Sequence, residues 1–150
     1  MGTKIFFMDK DIVVKKSIFI NADSMAVWDA LVNPSKIKQY LFGTDTISDW
    51  RVGSRIIYKG VWQGKEYEDG GTILQLESEK ILQYTYWSTM SGTEDKPENY
   101  VTVTYELEKK DGGTLVSLTQ NNCKTEEQKK HLEKNWSMVL QGLKKVAEEG

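Results

Sequence analysis

Residues 125–147 read TEEQKKHLEKNWSMVLQGLKKVA, and this stretch carries a strong helical signal. Thr125 and Gln128 have the spacing of a capping box, in which the threonine side chain accepts from the first turn and the glutamine reaches back. The apolar side chains of this segment lie on one stripe of the helix that is about 100° wide. They are Leu132, Trp136, Val139, Leu140, Leu143 and Ala147. A long amphipathic helix of this kind must bury its stripe against a second layer.

Alternating apolar and polar residues between about 44 and 122 predict that second layer as antiparallel strands. Gln63-Gly64 and Asp111-Gly112-Gly113 are typical of hairpin turns, and Asp69-Gly70-Gly71 predicts a bulge, a sharp bend or a close backbone approach inside a strand. The regular alternation predicts a sheet with one covered face and one solvated face. The predicted strands cover 55–62, 66–77, 81–90, 100–108 and 114–121.

One further strand and two short helices are predicted before this region. Residues 12–20 are β-branched and partly alternating, which indicates a strand. Asp23 or Ser24 has the chemistry to cap a short helix, and Asn33 ends it because the residue before a proline avoids helical backbone. Pro34 then suits the first turn of a second short helix.

The order of these elements predicts an α+β fold, in one domain that covers residues 1–150. A curved antiparallel sheet of about six to seven strands wraps on the long C-terminal helix. The two short helices after the first strand are left to close one end.

Composition excludes several classes of function. The net charge is −2 and no strand carries a basic stripe, which excludes a phosphate-tracking nucleic-acid surface. No stretch approaches the ~20 apolar residues of a membrane span, and the apolar run at 5–8 is too short for a signal peptide; we therefore expect a cytoplasmic protein. The chain has one cysteine, Cys123, and one histidine, His131, which predicts no disulfide, catalytic dyad, metal site or cofactor.

Several segments resemble one known family in their order and spacing. The segment at 26–31, AVWDAL, followed by Asn33-Pro34, resembles the first helix of domains related to the activator of heat-shock protein 90 ATPase, in the SRPBCC or START-like superfamily. The resemblance covers roughly residues 12–147. Further segments that match in order are Tyr40-Leu41-Phe42-Gly43, Trp50-Arg51-Val52-Gly53 with Gly60, the stretch from Gly71 to Tyr86, Gly112-Gly113-Thr114, and Trp136 with Leu140 and Leu143.

The resemblance implies a helix-grip fold with a cavity between the sheet and the long helix. It also implies that members bind apolar or amphipathic small molecules, or proteins such as a chaperone. Two features depart from the family pattern. Asn135 precedes Trp136 where the family usually has glycine, and the N-terminal domain of the chaperone activator has no counterpart here. We therefore expect no direct stimulation of an ATPase.

The residues themselves also indicate a cavity. Several tyrosines and tryptophans fall on the inward face of the predicted strands, and tyrosine hydroxyls fit poorly in a solid core, so a partly wet interior is favoured over an ordinary core. Trp28 is interpreted as a core anchor, whereas Leu41 and Phe42 lie next to Gly43 and are candidate gate residues. The predicted cavity lining is Leu41, Phe42, Tyr58, Trp62, Tyr84, Tyr86, Val103, Tyr105 and Trp136.

Three functional hypotheses follow. The favoured one is a protein that binds a small apolar or amphipathic molecule, because no catalytic constellation is visible. The second is a protein-interaction module that acts on a chaperone or another partner through an exposed patch around Trp87. The third is a cyclase or aromatase, which needs an acid–base pair such as Glu68 and Tyr105 facing the cavity. Glu66, Glu68 and Asp69 form an acidic run beside a turn, which predicts solvated carboxylates, and His131 is predicted at the surface.

Overall fold

Seven antiparallel strands and three helices make up residues 12–149, the part of the chain that this computed structural model describes. The apolar run at 5–8 lies outside the described residues. A short 3₁₀ turn, Pro97–Asn99, precedes the sixth strand. In chain order the elements are β1 (Ile12–Ile20), α1 (Ser24–Val32), α2 (Pro34–Tyr40), β2 (Asp45–Ser48), β3 (Arg55–Trp62), β4 (Lys65–Glu77), β5 (Ile81–Tyr86), β6 (Val101–Lys110), β7 (Gly113–Cys123) and α3 (Glu126–Glu149).

The strands form one curved sheet in the order β1-β7-β6-β5-β4-β3-β2. Apart from the pairing of β1 with β7, neighbours in the sheet are neighbours in the sequence, so short hairpins build most of it. Helix α3 lies against β1, α1 and α2. The predicted helix-grip architecture, with two short helices after the first strand, is confirmed.

Of the two caps predicted for the first short helix the structure selects Asp23, and it gives Asn33 a second role, as the cap of α2, that the sequence analysis did not predict. The Asp23 side chain accepts from the backbone N–H of Ala26 at 2.8 Å, which begins α1. Asn33 ends α1 by donating its N–H to the Asp29 carbonyl at 2.8 Å, and its side chain accepts from Ser35 N–H at 3.1 Å to begin α2. One residue thus sets the corner between the two helices.

Two glycines in β4 lie against the backbones of both neighbouring strands. Gly70 has φ +152°, and a Cβ on it would lie 2.1 Å from the Ile56 carbonyl oxygen. A Cβ on Gly71 would lie 2.0 Å from the Thr85 carbonyl oxygen. Neither position has room for a side chain, so the predicted close backbone approach is confirmed.

Strand β5 is shorter than the sequence pattern predicts. The prediction of a strand over 81–90 is wrong beyond Tyr86: Trp87 makes one isolated bridge to Gly70, and the chain then turns, with Ser91 N–H donating to the Ser88 carbonyl at 3.0 Å. The physical reason is a competing partner, because the Thr89 N–H donates to the Asp69 side chain instead of a neighbouring strand.

Helix α3 is anchored through its second half. Its buried residues are Leu140, Leu143, Val146 and Ala147, whereas the earlier apolar residues Leu132, Trp136 and Val139 are only partly buried. Val146 was missing from the predicted stripe. At the helix start, Gln128 N–H donates to Thr125 Oγ1 at 3.0 Å, and the Gln128 side chain accepts from Lys124 N–H, one residue before the predicted partner. No helix within residues 12–149 is long and apolar enough to cross a membrane.

Candidate ligand-binding cavity

A cavity of about 520 Å³ lies between the inner face of the sheet and the first half of α3. Small-molecule sites commonly have this size and a mostly apolar lining. The structure brings together around it every residue that the sequence analysis singled out as lining. Their role in binding stays a prediction. They are Leu41, Phe42, Tyr58, Trp62, Tyr84, Tyr86, Val103, Tyr105 and Trp136.

Tyrosines from three strands form the floor of the cavity. The Tyr58 ring lies 5.9 Å from that of Tyr84 and 6.1 Å from that of Tyr86, between centroids. Burial raises the pKa of the Tyr58, Tyr84 and Tyr105 phenols well above the ordinary value. At neutral pH the floor therefore presents aromatic faces and uncharged hydroxyls, which suit an apolar ligand with a few polar atoms.

The buried phenols make the protein sensitive to alkaline pH. Tyr40, Tyr58, Tyr84, Tyr86 and Tyr105 all have a pKa raised above 10.0 in the folded state, mainly by burial. Their contribution to stability is complete below the unfolded pKa near 10 and is lost as the pH rises above it. Phenolate absorbance measures ionisation of the tyrosines, and circular dichroism shows whether the protein is still folded. Just above pH 10 we expect these five tyrosines to remain protonated in the folded protein. Chain unfolded in urea is the control, and ionisation of all seven tyrosines in the folded protein would contradict the assignment.

Trp136 forms the wall that α3 contributes. Its Nε1–H donates to the Gln120 side-chain oxygen on β7 at 2.8 Å. Its ring meets the Tyr105 ring edge to face, with centroids 6.1 Å apart and an interplanar angle of 82°. These two contacts hold the first half of α3 over the cavity without filling it.

Two aromatic rings mark the mouth. Phe42, after α2, and Trp62, at the end of β3, lie 6.2 Å apart between centroids and are 66% and 51% exposed. Phe42 and Gly43 both have positive φ, at 55° and 81°, so the chain turns sharply where α2 ends. Leu41 and Phe42 line the cavity and their role as a gate stays a prediction, while Trp28 packs against the core outside the cavity lining.

The expectation that Asp69 faces solvent is wrong. Glu66 and Glu68 are exposed, but Asp69 is 9% exposed and lines the cavity. The two-residue turn after Trp62 places Asp69 opposite Tyr58, and residues opposite each other in a pair of strands share a face. Pairing the residues on either side of the predicted Gln63-Gly64 turn, one by one, would have placed Asp69 opposite Tyr58 from the sequence alone.

Asp69 is held by three donors. Its Oδ2 accepts from the Tyr86 hydroxyl at 2.7 Å, and its Oδ1 accepts from Thr89 N–H at 3.1 Å and from the Thr89 hydroxyl at 3.3 Å. Burial first, and then the neighbouring carboxylate of Asp69, raise the pKa of Tyr86. Tyr86 is therefore a firm hydrogen donor, and the carboxylate keeps a defined orientation.

The remaining candidates lie away from the cavity. His131 is exposed on α3, and Cys123 is buried at the end of β7. Within residues 12–149 no group of three His, Cys, Asp or Glu residues is placed to hold a metal ion. Trp87 is on the other side of the sheet, where it stacks on Tyr100 at 6.4 Å and donates to the Thr93 hydroxyl at 3.0 Å.

Comparison with known proteins assigns the family. The sequence profile of the Activator of Hsp90 ATPase homolog 1-like proteins matches residues 21–148. The chain belongs to this family. It is similar to ChR145 from Cytophaga hutchinsonii, with 49% identity over 92% of this chain and 94% of that chain and a TM-score of 0.81.

Two more distant structures share the fold of this chain. The Aha1 dimer from Colwellia psychrerythraea is 21% identical, over 91% of this chain and 96% of that chain, with a TM-score of 0.72. Ara h 8.0201 is 12% identical, over 93% of this chain and 99% of that chain, with a TM-score of 0.73. No curated protein sequence matches this chain.

Proposed function

We propose that this protein binds a small apolar or amphipathic molecule in the cavity, without covalent chemistry. The observation that carries the proposal is the tyrosine-lined cavity of about 520 Å³ under the first half of α3. Burying roughly 200 Å² of apolar ligand surface contributes about 5 kcal/mol before the costs of ordering. That is enough for binding once the cavity is pre-formed.

The mouth supports ligand access from solvent. Phe42, in the turn after α2, and Trp62, at the end of β3, contact each other, and both are more than half exposed. Met138 on α3 also lines the cavity and is 58% exposed. Side chains with so little packing move easily, so a ligand can pass without unfolding of the core.

The other two hypotheses have less support. The interaction-module hypothesis requires an exposed apolar patch around Trp87, but that ring is stacked on Tyr100 and its N–H is bonded. The enzyme hypothesis named Glu68 as an acid or base facing the cavity. Glu68 is exposed and does not line the cavity, because it alternates with Asp69 along β4.

A pair of tryptophan variants tests the binding proposal. N-phenyl-1-naphthylamine, an uncharged probe that fluoresces in apolar sites, is titrated into the wild type, Trp62→Ala and Trp87→Ala. We expect Trp62→Ala to weaken binding about 5- to 10-fold, because an aromatic contact of this kind contributes about 1 kcal/mol or more at the mouth. Trp87→Ala, on the other side of the sheet, is the matched control and should keep the wild-type Kd.

Each outcome bears on one hypothesis. The absence of saturable binding by the wild type would reject the proposed function. An equal loss in both variants would place the probe outside the cavity. Native mass spectrometry of freshly purified protein complements the titration, and a co-purifying small molecule at one per chain would identify the class of the natural ligand.

A further inference from the structure

The cavity lining carries one carboxylate and no basic side chain. Of the described residues that line it, Asp69 is the only Asp or Glu, and none is Lys, Arg or His. The ion pairs that the structure shows within residues 12–149 do not include Asp69. A mostly buried carboxylate without an opposite charge is costly, so such groups are usually paired.

The hydrogen bonds of Asp69 leave room for a further donor. A carboxylate has about four acceptor positions. Thr89 occupies two positions on Oδ1, and the Tyr86 hydroxyl occupies one on Oδ2. The fourth position, on Oδ2, accepts from no donor among the described residues. All three protein donors are uncharged, so they fix the orientation of the carboxylate without neutralising it.

The surroundings of Asp69 suit a cation. Tyr58 lies opposite Asp69 in the sheet, and Tyr86 contacts both. Aromatic faces attract cations, most strongly where water is excluded. Thr44 and Tyr67, whose hydroxyls bond each other, line the same cavity and offer oxygen acceptors for the other hydrogens of an ammonium group.

We propose that Asp69 selects ligands with a protonated amine, which it binds through Oδ2 while the apolar body of the ligand lies on the tyrosine floor. This inference rests on the proposed binding function. A neutral hydroxyl group would fill the open acceptor position but leave the negative charge unpaired. A metal ion would need more carboxylate, thiolate or imidazole ligands than the described part of the site provides. The amine satisfies both charge and hydrogen bonding.

Three naphthalene probes of similar size test the inference. 2-Naphthylmethylamine, 2-naphthalenemethanol and 2-naphthoate share an aromatic body and differ in charge. Each displaces N-phenyl-1-naphthylamine from the wild type, Asp69→Asn and Glu68→Gln at neutral pH. We expect the wild type to bind the amine at least about tenfold more tightly than the alcohol, and the carboxylate most weakly.

The two variants change one carboxylate to an amide at adjacent positions. Asp69→Asn should reduce the preference for the amine over the alcohol to less than about twofold, because the amide carries no charge to pair with the ammonium group. Glu68→Gln, the matched control on the exposed side of β4, should keep the full preference. Asparagine keeps an oxygen that accepts from Thr89 N–H, so we expect Asp69→Asn to fold, and its thermal melt is measured first.

Equal binding of amine and alcohol by the wild type would overturn the inference and leave the proposed function intact. A preference that survives in Asp69→Asn, or that is lost in Glu68→Gln, would also overturn it. Failure of the wild type to bind N-phenyl-1-naphthylamine and all three naphthalene probes would reject both the inference and the proposed function. If Asp69→Asn does not fold, the order of the affinities of the three probes for the wild type decides whether the inference stands.

Discussion

Gly70→Ala is expected to destabilise the folded protein by at least about 3 kcal/mol. The new Cβ would lie 2.1 Å from the Ile56 carbonyl oxygen and 3.1 Å from the Ile57 Cα, and both are backbone atoms that cannot move without separating β3 from β4. The φ of +152° adds strain for any residue with a side chain. Urea unfolding followed by tryptophan fluorescence measures the change.

Gly92→Ala is the matched control for this prediction. Gly92 has φ +78° but open space around it, with nothing within 4 Å of a Cβ. The control isolates backbone strain, for which we expect a cost of about 1 kcal/mol. Equal destabilisation by the two substitutions would contradict the close approach of Gly70 to the β3 backbone.

Leu143→Ala is expected to cost about 3 kcal/mol and to lower the melting temperature by about 6–12 °C. Leu143 is fully buried in the second half of α3, where the helix contacts the core. Truncation removes the transfer free energy of the lost methyl groups and leaves a void. A thermal melt followed by circular dichroism measures the effect.

Met138→Ala serves as the control on the same helix. Met138 is 58% exposed and lines the cavity, so its truncation should change stability by no more than about 0.5 kcal/mol. A loss comparable to that of Leu143→Ala would mean that the first half of α3 is packed as tightly as the second. The difference between the buried end of α3 and the part around Met138 explains how one helix both closes the core and borders a cavity.

Local signals identified most of the architecture because they act over a few residues. Asp23 and Asn33 cap helices through atoms no more than three residues away. The turn at Gln63-Gly64 has positive φ at both positions, 51° and 80°, as its sequence predicts for a two-residue hairpin. The family resemblance added the place of the cavity, and membership of the family is confirmed by the match over residues 21–148.

Prediction from sequence failed where a distant group competed with a local pattern. The alternation over 81–90 continues past Tyr86, but the Asp69 side chain draws the Thr89 N–H out of strand pairing. Asp69 itself was assigned to solvent from its acidic neighbours. The direction of the Asp69 side chain follows from the pairing of Asp69 with Tyr58 across β3 and β4. The acidic composition of the segment carries no information on that pairing.

The sequence by itself determined the order of the elements, the caps and turns between them, and the set of aromatic residues on the inner face, because each depends on short-range chemistry or on the period of a strand. Only the tertiary structure decided that these aromatic residues surround a space instead of filling it. That space exists because α3 is buried through Leu140, Leu143, Val146 and Ala147, while Trp136 bonds to Gln120 and holds the first half of the helix over the sheet. A cavity is the difference between the volume enclosed and the volume of the side chains, and that difference depends on how all the elements pack together.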